Sequence, residues 1–239
     1  ADGANSTIRR LLNLAVTEND YQQVAITANI STERPHLGKA FERFAETGPV
    51  ALLPMSDNRS SLIWTVNTGE ETELLELSDQ DFLNRLQVHF GYRLGKLTQV
   101  GQRGSFPLKM TQTQQPVQQR IVFIGNAAHN LHPIAGQGFN LGLRDVAVLA
   151  DKLCSTYADC GDPELLHDYQ RWQQSDQDTV IKTTDLLVNL FSNDNALLGH
   201  ARGAGLALLD ILPRTKSHIA QSSMGLANKQ SRLARGIDL

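Results

Sequence analysis

The stretch from Gly125 to Asn140 reads Gly-Asn-Ala-Ala-His-Asn-Leu-His-Pro-Ile-Ala-Gly-Gln-Gly-Phe-Asn, and its chemistry lies in glycines and neutral amides. Gly125, Gly136 and Gly138 allow a flat or anionic group to approach the main chain closely. A helix opening just after them presents unpaired N–H groups and a positive dipole end, which suit an electron-rich ligand. Asn126, Gln137 and Asn140 supply amides that both donate and accept. His129 and His132 invite a metal reading, but they sit in a loop before Pro133 with no carboxylate or cysteine at ligand spacing, so no metal is assigned. No Ser–His or Cys–His motif marks a protein nucleophile. A second small polar segment, Asp2-Gly3 with Arg9 beyond it, opens the chain; on its own it also reads as a helix-capping Asp and a solvated Arg.

The elements that must position these residues follow from hydrophobic period. Ile121 to Ile124 predicts a short buried strand ended by Gly125, and Phe139, Gly142, Val146, Leu149 and Leu153 predict the inner stripe of a helix. Ile8, Leu11 and Leu12 suggest the face of a short helix. From Tyr21 to about Met110 strands dominate: Val24, Ile26, Ala28 and Ile30 alternate with Ala25, Thr27 and Asn29, Val50 to Leu53 follows a Gly48-Pro49 turn, and Leu62 to Val66 follows Asp57-Asn58. One helix interrupts them, with Ser78 as N-cap, Asp81 at N3, and Phe82, Leu83, Leu86 and Phe90 as its stripe. Asp162-Pro163 starts a long helix carrying Leu165, Leu166, Tyr169, Val180, Ile181, Thr184 and Val188, which Ser192-Asn193-Asp194 breaks. A last apolar patch, Leu206, Leu209 and Leu212, is flanked by Arg202, Arg214 and Lys216.

Composition sets the outer limits. A net charge of −3 and 20% charged residues give no electrostatic footprint for nucleic acid. No run of eighteen apolar residues suggests a spanning helix. Cys154 and Cys160 lack Cys-x-x-Cys spacing and read as reduced thiols, with a disulfide between them as the other option.

Gly125-Asn126-Ala127-Ala128-His129, then Pro133 and Gly136-Gln137-Gly138-x-Asn140, resemble the second flavin motif of the class A flavin monooxygenases, the aromatic hydroxylases of the para-hydroxybenzoate hydroxylase type. Ala1-Asp2-Gly3-Ala4-Asn5-Ser6-Thr7-Ile8-Arg9 resembles the same family's Asp-Gly motif. His132 to Gly142 is similar in particular to the ubiquinone-biosynthesis hydroxylases of the 2-octaprenyl-6-methoxyphenol hydroxylase type; the likeness runs through Glu42-Arg43-Phe44 and Gly48 to Pro54 and covers the chain to about residue 200. No Gly-x-Gly-x-x-Gly opens a first strand–helix unit, so we expect the C-terminal portion of a longer hydroxylase.

The resemblance implies an α/β fold, α+β in its substrate part. Residues 1–20 and 113–158 are expected to be parts of an incomplete FAD-binding Rossmann-type domain, 21–112 an inserted mixed β-sheet substrate domain, and 159–239 a C-terminal helical region. It implies FAD as cofactor, NAD(P)H as co-substrate, and hydroxylation of a polyprenyl phenol with O2. Asp2 and Gly3 then lie near the flavin pyrophosphate, and Arg9 holds their motif. Gly125 and Asn126 face the ribityl chain, Asn126 standing where most of the family has Asp. Gly136, Gln137, Gly138, Phe139 and Asn140 follow the ring edge, while His132 and Pro133 line the catalytic pocket where oxygen reacts; His129 is a packed loop residue. The partners expected are the prenylated substrate and a ubiquinone-biosynthesis enzyme complex, in the cytoplasm with peripheral contact at the inner face of the membrane. Two alternatives stay open: another flavoprotein of this fold, a reductase or halogenase, and a non-catalytic lipid- or partner-binding module.

Overall fold

A computed structural model describes residues 1–45, 47–154, 159–191, 211–226 and 229–239. Its helices are α1 (Thr7–Leu11), α2 (Glu71–Glu76), α3 (Asp79–Phe90), α4 (Gln137–Leu153), α5 (Pro163–Phe191) and α6 (Pro213–Ser223). The strands are β1 (Val16–Thr32), β2 (Phe41–Ala45), β3 (Gly48–Pro54), β4 (Arg59–Asn67), β5 (Leu97–Val100), β6 (Gly104–Thr113), β7 (Val117–Gln118), β8 (Ile121–Val122) and β9 (His129–Asn130). The described residues fall into two units, one drawn from 1–19, 109–187 and 211–239, the other from 20–108 and 188–191.

The second unit is a sheet with a helical cover. Its strands run in the order β2-β3-β4-β1-β6, with β5 also paired to β1. Antiparallel register sets Ile26 opposite Trp64, Ala28 opposite Leu62, and Leu52 opposite Leu62 on the other side. Because side chains alternate along a strand, this register gathers Val24, Ile26, Ile30, Val50, Leu52, Leu62, Trp64 and Val66 into one buried cluster. Helix α3 completes it with Phe82, Leu83, Leu86 and Phe90. Its start is fixed by Ser78, whose Oγ accepts the Asp81 N–H at 3.2 Å, and its end by Gly91 at φ 87°. The Phe82 ring meets Trp64 edge-on at 5.7 Å, with the Arg103 guanidinium 4.9 Å from its centroid on another side. A second helix, α2, precedes α3 where the pattern predicted only one. Its sequence, Glu-Thr-Glu-Leu-Leu-Glu, buries Leu74 alone and so shows no stripe.

The first unit departs further from the periodicity. Only Ile121 and Val122 of the expected strand pair in a ladder, against β7; Phe123 follows buried, its N–H donating to the Pro116 carbonyl. In α1 the expected apolar face points outward: Ile8, Leu11 and Leu12 are exposed and Arg9 is the buried residue. Helix α4 forms where expected but buries the opposite face, Leu141, Asp145, Val148 and Asp151. Phe139, Val146 and Leu153, placed inside by their spacing, are exposed, Phe139 at 75%. The inner face carries two carboxylates, which apolar periodicity cannot detect. Helix α5 starts as predicted: Asp162 Oδ1 accepts the Glu164 N–H at 2.7 Å, and Leu165, Leu166 and Tyr169 are buried.

Truncating Phe82 to Ala should cost about 3–5 kcal/mol, because it empties the centre of the sheet unit's core. Ser78→Ala should cost about 1 kcal/mol through its lost cap. Urea unfolding of both variants checks the ranking.

Candidate functional site

The loop from Gly125 to Asn130 is held from several sides. Gly125, at φ 57°, begins a single 3-10 turn, and its N–H donates to Asp145 Oδ2 at 2.9 Å. The Ala127 carbonyl accepts from Arg9 Nη1 at 3.1 Å and from Thr113 Oγ1 at 2.9 Å. The Ala128 carbonyl accepts the Thr113 N–H at 2.8 Å. His129 is buried, with Nε2 2.6 Å from Asp145 Oδ2, and pairs with Gln112 across β9 and β6. Ala127 and Ala128 are buried small residues that let these groups converge. Asn126 is left exposed, with no side-chain hydrogen bond among the described residues.

Arg9 brings the two sequence motifs together. Nη1 reaches Ala127, and Nη2 donates to the Ala4 carbonyl at 2.6 Å, so a buried guanidinium bridges the chain's first residues and the glycine loop. Asp2 is exposed, and its Oδ2 accepts the Ile8 N–H at 3.2 Å. The Ser6 hydroxyl and the Ile8 N–H hold its carboxyl down to about 2. The N-cap of α1 is Ser6, whose Oγ accepts the Arg9 N–H at 3.1 Å, and Asp2 adds an acceptor for one further N–H of the first turn. Gly3 adopts φ 88°, a conformation that favours glycine.

After the loop the chain turns into α4. His132 is buried, Nδ1 accepts the Ile134 N–H at 3.2 Å, and burial lowers the imidazole to about 4. It is a neutral residue shaping the turn. Pro133 is half-buried at the start of the 3-10 turn Ile134–Gly136. Gly136 stands at the N-cap of α4 in a left-handed conformation, φ 62°, and no side chain caps the helix. Gly136, Phe139 and Asn140 are exposed around that end, and Gln137 and Gly138 are half-buried. A Cβ built on Gly142 meets the Gly125 Cα at 3.4 Å, so the helix lies close against the loop.

An uncapped helix end, an outward amide and a left-handed glycine fit an electron-rich planar group with hydroxyls, and so fit the flavin that the motifs imply. Sequence reasoning missed Asp145, Thr113, Gln173 and Gln177 as supports of this loop. The apolar spacing gave no signal for Asp145, because it put the opposite face of α4 inside.

Comparison with known proteins agrees. Residues 1–183 match the family described as FAD binding domain. The chain is 39% identical, over its full length, to Ubiquinone hydroxylase UbiL of Rhodospirillum rubrum, and spans 57% of that protein. It is 31% identical to 3-demethoxyubiquinol 3-hydroxylase of Escherichia coli, with 95% of this chain and 58% of that protein covered. Among solved structures, Diels-Alderase PyrE3 of pyrroindomycin biosynthesis superposes with a TM-score of 0.73 at 21% identity, over 95% of this chain and 49% of that one. That likeness speaks to fold alone. The chain thus spans less than two thirds of the length of the relatives it matches.

His132 gives a pH test. Its folded pKa of about 4 lies below the ordinary 6.5, so the unfolded chain takes up this proton first as pH falls. The stability it contributes is complete above about pH 6.5 and is lost progressively towards pH 4, by up to ~3 kcal/mol. A His132→Gln variant should lose correspondingly less stability across that window in urea titrations at stepped pH.

Proposed function

The chain belongs to the family of FAD-binding domains, and from that premise we propose that it carries part of the flavin site of an FAD-dependent hydroxylase. The substrate proposed is a polyprenyl phenol of ubiquinone biosynthesis. The observation that carries the reading is the Arg9 bridge, which sets the Asp-Gly segment beside the glycine loop with Asn126 and the open end of α4 facing outward. The names of the ubiquinone-pathway relatives support the substrate class.

In this reading Asp2 and Gly3 lie along the pyrophosphate, Asn126 bonds a ribityl hydroxyl, and Gly136 to Asn140 border the ring. Bound FAD, reduced by NAD(P)H, would supply the activation of O2 for ring hydroxylation. The protein's share is placement and electrostatics. The N-terminus of α4 stabilises negative charge at the ring edge without adding a mobile proton. His132, neutral and buried, would back the loop beside Pro133 rather than exchange protons at neutral pH.

No helix among the described residues is long and apolar enough to cross a membrane. A lipid-tailed substrate calls for peripheral contact at the cytoplasmic face of the membrane or delivery within a ubiquinone-biosynthesis complex. Exposed Ile211 and Leu212, beside Arg214 at the start of α6, are the described part of such a surface. Leu206 and Leu209, which complete the patch in the sequence, lie outside the described residues, as does Arg202.

The complete protein that carries this chain should show the flavin absorption band at about 450 nm and convert a prenylated phenol to a product with one oxygen from O2. Gly138→Val is a clean variant, because a Cβ there meets only the Leu131 Cβ, at 3.8 Å. It should leave the fold intact and weaken flavin binding by about tenfold or more by crowding the ring edge. Asn126→Ala should weaken it by about 1 kcal/mol, the worth of one hydrogen bond. Unchanged flavin content and turnover in both variants would sink this placement of the cofactor.

A further inference from the structure

Asp145 is the most demanding residue of the first unit. Its carboxylate is fully buried, on the inner face of α4, where the helical register puts Leu141 and Val148 as its neighbours. Four donors converge on it. Oδ2 accepts the Gly125 N–H at 2.9 Å and His129 Nε2 at 2.6 Å. Oδ1 accepts Gln173 Nε2 at 2.7 Å and Gln177 Nε2 at 2.9 Å, both from α5. Burial alone would raise this carboxyl, but the bonds from His129, Gly125 and Gln173 outweigh it and hold the group below the usual carboxylate range. A buried charge is costly where an apolar side chain would pack, so its presence calls for a task that only an acceptor performs.

That task is legible in the loop. Gly125 heads the segment, and Asn126 is its next residue. Fixing the Gly125 N–H inward and the His129 ring below sets the path of the backbone between them, and with it the direction in which Asn126 faces. We propose that Asp145 is the positioning residue of the cofactor loop. It withdraws the Gly125 N–H and the His129 imidazole from the set of flavin ligands, leaves Asn126 as the loop's outward amide, and fastens the loop to α5 through Gln173 and Gln177. The inference rests on the flavin reading for its consequence, while the hold on Gly125 is a property of the chain itself.

Two substitutions separate acceptor from charge. In Asp145→Asn the amide oxygen keeps the Gly125 and His129 donors, and the amide nitrogen faces Gln173 and Gln177, whose side-chain amides turn round to accept. Asp145→Leu removes every acceptor while keeping the branched outline of the side chain. In the protein that carries this chain, the Asn variant should bind FAD within about threefold of wild type and keep the visible circular dichroism of bound flavin. The Leu variant should bind about tenfold more weakly, with a changed dichroism band and a Gly125 amide that exchanges with deuterium about tenfold faster. An Asn variant damaged as badly as the Leu variant, or a Leu variant with wild-type affinity, overturns the proposal. If the Leu variant does not fold, wild type decides: Gly125 should be protected from exchange without FAD, and protection that arises only on adding FAD makes it a cofactor ligand and overturns the proposal. A wild-type protein that binds no FAD overturns the functional reading instead, and Gly125 exchange then still reports whether Asp145 holds the loop.

Discussion

A charge taken out of water must be surrounded by donors, and in this chain that requirement organises the unit that carries the glycine loop. The carboxylate of Asp145 accepts from a loop backbone, a loop imidazole and two glutamines of a distant helix, so one side chain brings three pieces of chain to one point. Helix α4 cannot rotate about its axis without breaking all four bonds. Its outer face, with Phe139 and Val146, is set by that inner requirement together with the burial of Leu141 and Val148. The open N-terminus of α4 and the exposed Asn126 are therefore directed by a residue that touches neither. A ligand site made of backbone groups has little means of fixing itself, and here the fixing is done from beneath.

The glycine loop works by a division of labour. The Ala127 and Ala128 carbonyls and the Gly125 N–H are spent on internal bonds, which satisfies polar groups that burial would otherwise penalise. The outward groups are neutral or uncapped: an amide, a left-handed glycine and a helix end. Such a surface favours a polar, electron-rich partner without offering it a nucleophile or a proton, which suits a protein whose chemistry belongs to a bound cofactor.

The sheet unit was readable because one of its faces is wholly buried. There the period of two is enforced, and Val24, Ile26, Ala28 and Ile30 pointed inward as their alternation required. The caps at Ser78 and Asp162 were equally legible, since capping is local in sequence. The flavin-type loop was legible as a string of residue types, but its supports were not. Arg9 reaches Ala127, and Gln173 reaches Asp145, across spans that no window of sequence contains. The faces of α1 and α4 were misread for a related reason: each buries a charged residue, Arg9 or Asp145, whose partner lies elsewhere in the chain. Helix α2 escaped because only Leu74 of its six residues is buried.

The bridge from Arg9 to Ala127 joins residues 118 positions apart. Closing so long a span carries a large entropy cost that nearby contacts must offset, so it belongs to the late part of folding. The β3–β4 and β2–β3 pairings join neighbouring strands, and they can be in place well before this clasp shuts. A nascent chain therefore pairs its β2, β3 and β4 strands early and fastens its glycine loop last. A closed Arg9 clasp is then a mark of finished assembly, and any partly folded species that has not shut it leaves the glycine loop unfastened.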